Sequence, residues 1–462
     1  MVACEALSLA AFVYPMFSLP LLIVIGVAAF VVSWKNLETG VYILFGELFF
    51  GSRGHLLEYN IGFTTLSLRL VIFAAVFIVW SIKYIRHLSL TLSDIGEGRV
   101  RYGLLLLVIA FGILNGYSHH HSLADIFHDA NAYLYLLILP AVFAVIKTRE
   151  QVQNILQILA AAVLIIAFKT LALFLWFSFD LPGVATMYHW VIDQDIGEIT
   201  GVVGSASRIF MQSQFYALMG FFIFALSEKK NWPVIAAAIL AIIMSLSRSF
   251  WLGGVAGAVF AGFALIFYFK VKISELVKLA ATLLLIAVLE LGGLYAIVKI
   301  SGGGFADAVA SRGVNPSQEA AGGARLLLLP ELLQEIKEAP VLGKGFGELV
   351  TYKSFLPDRI RPDNPEGEIR SFAFEWGYLD IALKVGILGL VIYLFFIANI
   401  FSSGWKAMQN QNAKIKMLNL GILSGLVALL VLNVTTPYLN HPLGIGYLIL
   451  AALSFQIFNF EL

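Results

Sequence analysis

Two arginines stand where an apolar chain has little reason to place them. Arg208, in GSASRIFMQSQ, sits at the lip of an apolar run that starts near residue 209. Arg248, in MSLSRSFWLGG, sits in a turn between two apolar runs too closely spaced for a real loop. Dragging an arginine to a bilayer centre costs roughly 2.5–3.5 kcal/mol, so both must stay near a membrane surface. A guanidinium presents a planar fork of donors that grips a phosphate or diphosphate through paired hydrogen bonds. Two such forks near one surface suit an anion of that kind. Snorkelling to ordinary lipid headgroups is the plainer alternative. Ser247 and Ser249, on either side of Arg248, favour a shaped anion site over it.

A third arginine and a carboxylate belong to the longest polar interval. Residues 324–347 read ARLLLLPELLQEIKEAPVLGKGFG, an amphipathic piece opened by Arg325 and closed by a glycine-rich turn at Gly343, Gly345 and Gly347. A charged, proline-rich segment containing Arg359, Arg361 and Arg370 follows, and Arg312 precedes; this interval suits an anionic partner. GKGFG lacks the GxxxxGK[ST] spacing of a phosphate loop. Glu375 then stands at the mouth of a long apolar run with no sequence-local partner. A poorly solvated carboxylate there can act as a general base. Asp380 and Lys384 follow at i,i+4 spacing and can pair. His119, His120, His121 and His128, with Asp125 and Asp129, make a metal site conceivable, but three adjacent histidines cannot all reach one ion from a regular helix, and no metal is expected. His189 and His441 are lone candidates for binding or proton transfer. Glu290 and Lys169 fall inside apolar runs and are expected to face a protein interior.

The elements that position these residues follow from composition. The chain has 462 residues, is 60% hydrophobic and only 13% charged, with a mean hydropathy of +0.88. Soluble domains are about 45–50% apolar, so this is a polytopic membrane protein. The single cysteine, Cys4, excludes an internal disulfide. Runs of about 20 apolar residues predict spans at 66–84, 102–117, 132–147, 153–178, 209–227, 232–247, 249–269, 276–299, 373–402, 417–434 and 442–459. The first run, from about Leu7 to Val32, is too long and lacks the basic start of a cleaved signal. With two or three spans from residues 7–51, the expectation is an all-α helix bundle of about 12–13 spans.

Basic residues mark cytoplasmic connections. They cluster at Lys83, Arg86, Arg99 and Arg101, at Lys147 and Arg149, at Lys229 and Lys230, at Lys270, Lys272 and Lys278, and at Lys406, Lys414 and Lys416. From residue 66 on, these fall on every second connection. The others, 118–131, 179–208, 247–249, 300–372 and 435–441, are then extracytoplasmic. The expected organisation is a bundle at 1–299, a large extracytoplasmic loop with short helices at 300–372 and a second part of the bundle at 373–462. Residues 1–65 are not oriented by this pattern. The short cytoplasmic loops carry no nucleotide-binding motif, and no nucleic-acid partner is expected.

Taken together, the motifs resemble the O-antigen ligase and polymerase superfamily, polytopic glycosyltransferases that use polyprenyl-diphosphate-linked glycans at the outer face of the inner membrane. SLSRSFWLGG resembles the family's SR-containing turn, and Arg208 sits where the family has an arginine before the preceding span. Residues 325–347 resemble its R…PxLGxGxG loop, and GILGL at 386–390 its glycine motif. The resemblance covers about residues 200–395. The family often places His-Asn eleven residues before the first glycine of the last motif, with that histidine as base. This chain has Glu375 and Trp376 there, and Lys384 at the family's acidic position. The resemblance implies that Arg208 and Arg248, with Arg325, neutralise a departing diphosphate while Glu375 takes the proton of an acceptor hydroxyl. Gly345, Ser247, Ser249 and His441 are implied as substrate contacts, without cofactor or metal. The partners implied are a lipid-linked donor, a glycan or lipid-linked acceptor, and membrane lipids. A transporter or flippase is the alternative; it would use Glu290, Lys169, Asp380 and Lys384 as a pathway.

Overall fold

The computed structural model describes residues 1–62, 64–84, 96–201, 207–227, 229–301, 320–353, 364–409 and 413–460. Arg86, Arg312, Arg359 and Arg361 lie outside the described residues. The protein is an all-α multi-pass membrane bundle. Among the described residues, eight helices are long and apolar enough to cross a membrane, and shorter apolar helices pack beside them. The N-terminal region forms helices Val2–Val13, Ser18–Lys35 and Leu37–Phe50. Each apolar run from residue 66 onward contains helix. The 30-residue Arg149–Ser178 helix starts at a capping box, in which Thr148 and Gln151 satisfy each other's backbone N–H groups.

Burial distinguishes centre from rim. Ala413–Leu432 buries more than half of its side chains, against Arg248–Phe263 and Gln214–Leu226 among others. Ile273–Ile300 buries only Leu294 and Val298 and lies on the periphery. Glu290, expected to face the interior, is on this rim helix and is half-buried.

Two expected spans differ from their predicted form. The run starting near 209 becomes helix only at Gln214. Residues Ser207–Met211 form a strand instead, antiparallel to Gly197–Gly201, with Thr200 opposite Arg208. The run at 373–402 begins as helix at Gly377 but is broken at Gly386, where the backbone is non-helical (φ 71, ψ 177). A helix broken within an apolar bundle exposes backbone groups that only neighbouring protein can satisfy. The glycine-rich turn does this. Lys344 and Gly345 donate their N–H groups to the Leu383 and Lys384 carbonyls (2.7 and 3.0 Å), and Ile387 and Leu388 donate to Pro340 and Val341 (2.9 and 3.3 Å).

Gly345, expected as a substrate contact, belongs to this packing. It has φ +89, and a Cβ there would lie 2.1 Å from the Gly116 nitrogen of the Arg99–Ser118 helix. Gly345 lets the turn enter between that helix and the broken one. Gly345→Ala is expected to cost at least about 2 kcal/mol, from positive φ plus overlap. Thermal unfolding in detergent would check this against Gly103→Ala, whose Cβ meets nothing. Equal melting of the two variants would refute the packing role.

The described parts of the connections 118–131, 179–208, 247–249, 300–372 and 435–441, assigned to one side by the basic-residue pattern, converge at one end of the bundle. His121 meets Glu348, Lys384 meets Asp129 and Arg208 meets Glu198. Ser249 meets Thr435 and Thr436.

Candidate active site

A cavity of about 710 Å³ lies where these connections converge. Arg208 and Arg248 reach it from two elements that are tied together. Arg208 projects from the Ser207–Met211 strand. Its Nε donates to the Ser245 carbonyl (2.8 Å), its Nη1 lies 3.2 Å from Glu198 Oε2, and its guanidinium stacks 4.8 Å from the Phe210 ring centre. Ser245 is the last residue of the Trp232–Ser245 helix. Leu246 then takes a left-handed conformation (φ 44), Ser247 is extended, and Arg248 opens the next helix. The positive end of that helix dipole adds to the Arg248 charge. Ser247 lines the cavity as the N-cap residue. Ser249 also reaches the wall, but its Oγ is engaged with the Thr435 and Thr436 hydroxyls (3.1 and 2.9 Å), which locks the turn to the 435–441 connection.

Arg325 and Glu375 line the same cavity as an ion pair across 50 residues of sequence. Trp376 Nε1 donates to the Arg325 carbonyl (3.0 Å) and fixes the two segments together. The Glu375 side chain is 49% exposed. The expected poorly solvated carboxylate is therefore a solvent-reachable one with a guanidinium partner.

His441 lines the cavity from the connection before the last helix. Burial pushes its imidazole well below the ordinary histidine range, and Arg69, Arg53 and His55 nearby push the same way. The ring is neutral at neutral pH. Its Nδ1 accepts the Leu443 N–H (3.3 Å), which assigns the ring proton to Nε2. His441 is equipped to donate a hydrogen bond, not to take a proton.

Below the arginines, Lys384 forms ion pairs with Asp129 and with Asp380 (2.5 Å for the latter). All three side chains are buried and reach the cavity floor. The expected i,i+4 pair is thus a three-membered network. Lys169 is paired with Glu5 (2.6 Å), so both lysines of the transport pathway are engaged within the protein. Of the histidine run, His121 contacts Glu348 (2.7 Å) and the Phe346 carbonyl (2.8 Å), a structural tie to the glycine-rich turn. His189 is exposed beside Asp193 (3.2 Å).

The sequence reading missed Arg53, His55 and Arg69, which line the cavity from the N-terminal region. A signal was present: GSRGH at 51–55 is an arginine in a tight turn between apolar runs, the signature that marked Arg248.

No curated protein matches the chain. Residues 233–394 match the family model described as O-Antigen ligase, a stretch that includes Arg248, Arg325 and Glu375 and leaves out Arg208. Over this stretch, about a third of its length, the chain is similar to the O-antigen ligase family.

Proposed function

We propose that the protein transfers a glycan from a polyprenyl-diphosphate carrier to an acceptor hydroxyl at the outer face of the cytoplasmic membrane. The observation that carries this reading is the meeting of Arg208, Arg248, Arg325 and Glu375 around one cavity in a chain whose residues 233–394 match the O-antigen ligase family model. The donor enters from the bilayer with its diphosphate among the arginines. The acceptor oxygen attacks the anomeric carbon, forming the new glycosidic bond. The bond from that carbon to the diphosphate oxygen breaks, and the carrier departs as the diphosphate anion. The acceptor proton passes to Glu375, which turns from Arg325 as that guanidinium shifts to the diphosphate. His441 donates a hydrogen bond through Nε2. One displacement inverts the anomeric configuration. Arginines supply the positive charge, so the reaction needs no divalent ion. The diphosphate leaving group stores the driving force, and no nucleotide is consumed.

Turnover of a lipid-diphosphate oligosaccharide with a hydroxyl acceptor, in nanodiscs with EDTA, tests this. Glu375→Gln is expected to lower kcat by about 100-fold or more while donor binding persists. Wild-type transfer that is unchanged in Glu375→Gln would remove Glu375 from the mechanism, with Asp380→Asn the next variant. Donor crossing the bilayer without transfer would favour a flippase.

A further inference from the structure

The turn at 51–54 lies outside the matched family stretch, yet it is built into the cavity wall. Glu47, at the end of Leu37–Phe50, and Arg69, at the start of Leu68–Tyr84, form a buried two-point ion pair (2.9 and 3.1 Å). Arg69 Nη2 also donates to the Ser52 carbonyl (2.8 Å). Ser52 is buried and left-handed (φ 54). Its Oγ donates to the Ile196 carbonyl and accepts the Gln212 N–H (3.1 Å). Ile196 and Gln212 flank the open end of the paired strands Gly197–Gly201 and Ser207–Met211. The turn is therefore stitched to both strands of the pair that carries Arg208. A left-handed non-glycine residue persists only where its surroundings hold it, and such positions concentrate at functional sites.

The held turn presents Arg53. Its Nη1 lies 2.6 Å from Asp195 Oδ1, and Asp195 is itself left-handed (φ 51). Beside it, Arg208 faces Glu198 at 3.2 Å. All four side chains line the cavity. In both pairs the carboxylate is the more exposed partner: 52% against 38% for Asp195 and Arg53, and 50% against 12% for Glu198 and Arg208. An exposed carboxylate on a held guanidinium occupies the place where a phosphate would bind, and it contributes little to stability where water competes.

We propose that Arg53 is a further arginine of the diphosphate site, and that Asp195 and Glu198 stand in for phosphate oxygens until the ligand displaces them. This rests on the diphosphate reading above. The matched domain would then be completed by the N-terminal region, and binding would exchange one set of anionic oxygens for another.

The test is binding of undecaprenyl diphosphate and undecaprenyl monophosphate to the full chain in nanodiscs. For the diphosphate, Arg53→Ala is expected to weaken binding about tenfold or more, Asp195→Asn to tighten it about threefold or more, and Lys278→Ala, exposed on the rim helix Ile273–Ile300, to leave it unchanged. The monophosphate should show a smaller response to Arg53→Ala. Tightening in Asp195→Asn also shows that the wall folds without the ion pair. If Arg208→Ala loses binding while Arg53→Ala binds as wild type, Arg53 does not touch the ligand and this inference fails alone. If Asp195→Asn binds no more tightly than wild type, the stand-in role fails. If the wild type shows no saturable binding, the diphosphate reading fails and takes this inference with it.

Discussion

Arg248→Ala and Arg208→Ala are each expected to lower turnover by 100-fold or more, and the double variant to lose far less than the product of the two. Removing one donor aimed at developing negative charge typically costs about 10²–10³ in rate. The non-additivity comes from the geometry. Arg208 Nε holds the Ser245 carbonyl, and the next two residues form the turn that presents Arg248. Losing Arg208 therefore removes one guanidinium and loosens the other. Arg208→Lys is expected to behave like Arg208→Ala, because one ammonium cannot hold the Ser245 carbonyl and also present a fork to a ligand. Arg248→Lys retains charge at the helix N-terminus and should keep part of the activity. Steady-state turnover on all five variants, with monodisperse elution from a sizing column as the folding check, decides it. Wild-type rates in Arg208→Lys would sink the bridging role. Full additivity would mean that the two arginines act independently.

The sequence carried the parts of this site that depend on composition and on charge beside apolar runs. Arg208, Arg248 and Glu375 could each be found because a charge at the edge of an apolar stretch is costly and must be explained, and Arg325 because it opens the amphipathic piece of the longest polar interval. The alternation of basic connections also grouped the segments that converge on the cavity. Three features were illegible for physical reasons. GILGL in an apolar run has the composition of an unbroken helix, and the break at Gly386 exists only because the 340–347 turn satisfies the freed backbone. IFM at 209–211 is apolar enough to read as the start of a span, and a five-residue strand is too short for alternation to distinguish. The union of Asp129 with Lys384 spans 255 residues, a distance at which local spacing says nothing. Arg53 differs: its turn had the same signature as Arg248, but residues 1–65 lacked the flanking basic pattern that gave the other turns a side.

Among the described residues, Lys384 is where a single substitution should do most damage to the fold. Its ammonium lies between the Asp129 and Asp380 carboxylates, with all three side chains buried. Asp129 also accepts the Gly347 N–H (2.9 Å), and Asp380 also accepts from the Asn440 amide. The lysine thus joins the Leu123–Ala130 helix, the glycine-rich turn, the broken helix and the connection that carries His441. Lys384→Met leaves two carboxylates facing each other without a cation, and breaking a buried pair in this way costs about 3–5 kcal/mol. Asp129→Asn or Asp380→Asn leaves the lysine one partner and a neutral hydrogen-bonding group, so each should cost less. The triple variant Lys384→Met, Asp129→Asn, Asp380→Asn removes the charges together and should recover much of the loss, since stranded charge costs more than absent charge. Yield of monodisperse protein and melting temperature in detergent rank the four variants. If the triple variant melts as low as Lys384→Met, the lysine acts through shape and contacts, not charge. If Lys384→Met melts as the wild type does, the network contributes nothing to holding the cavity floor.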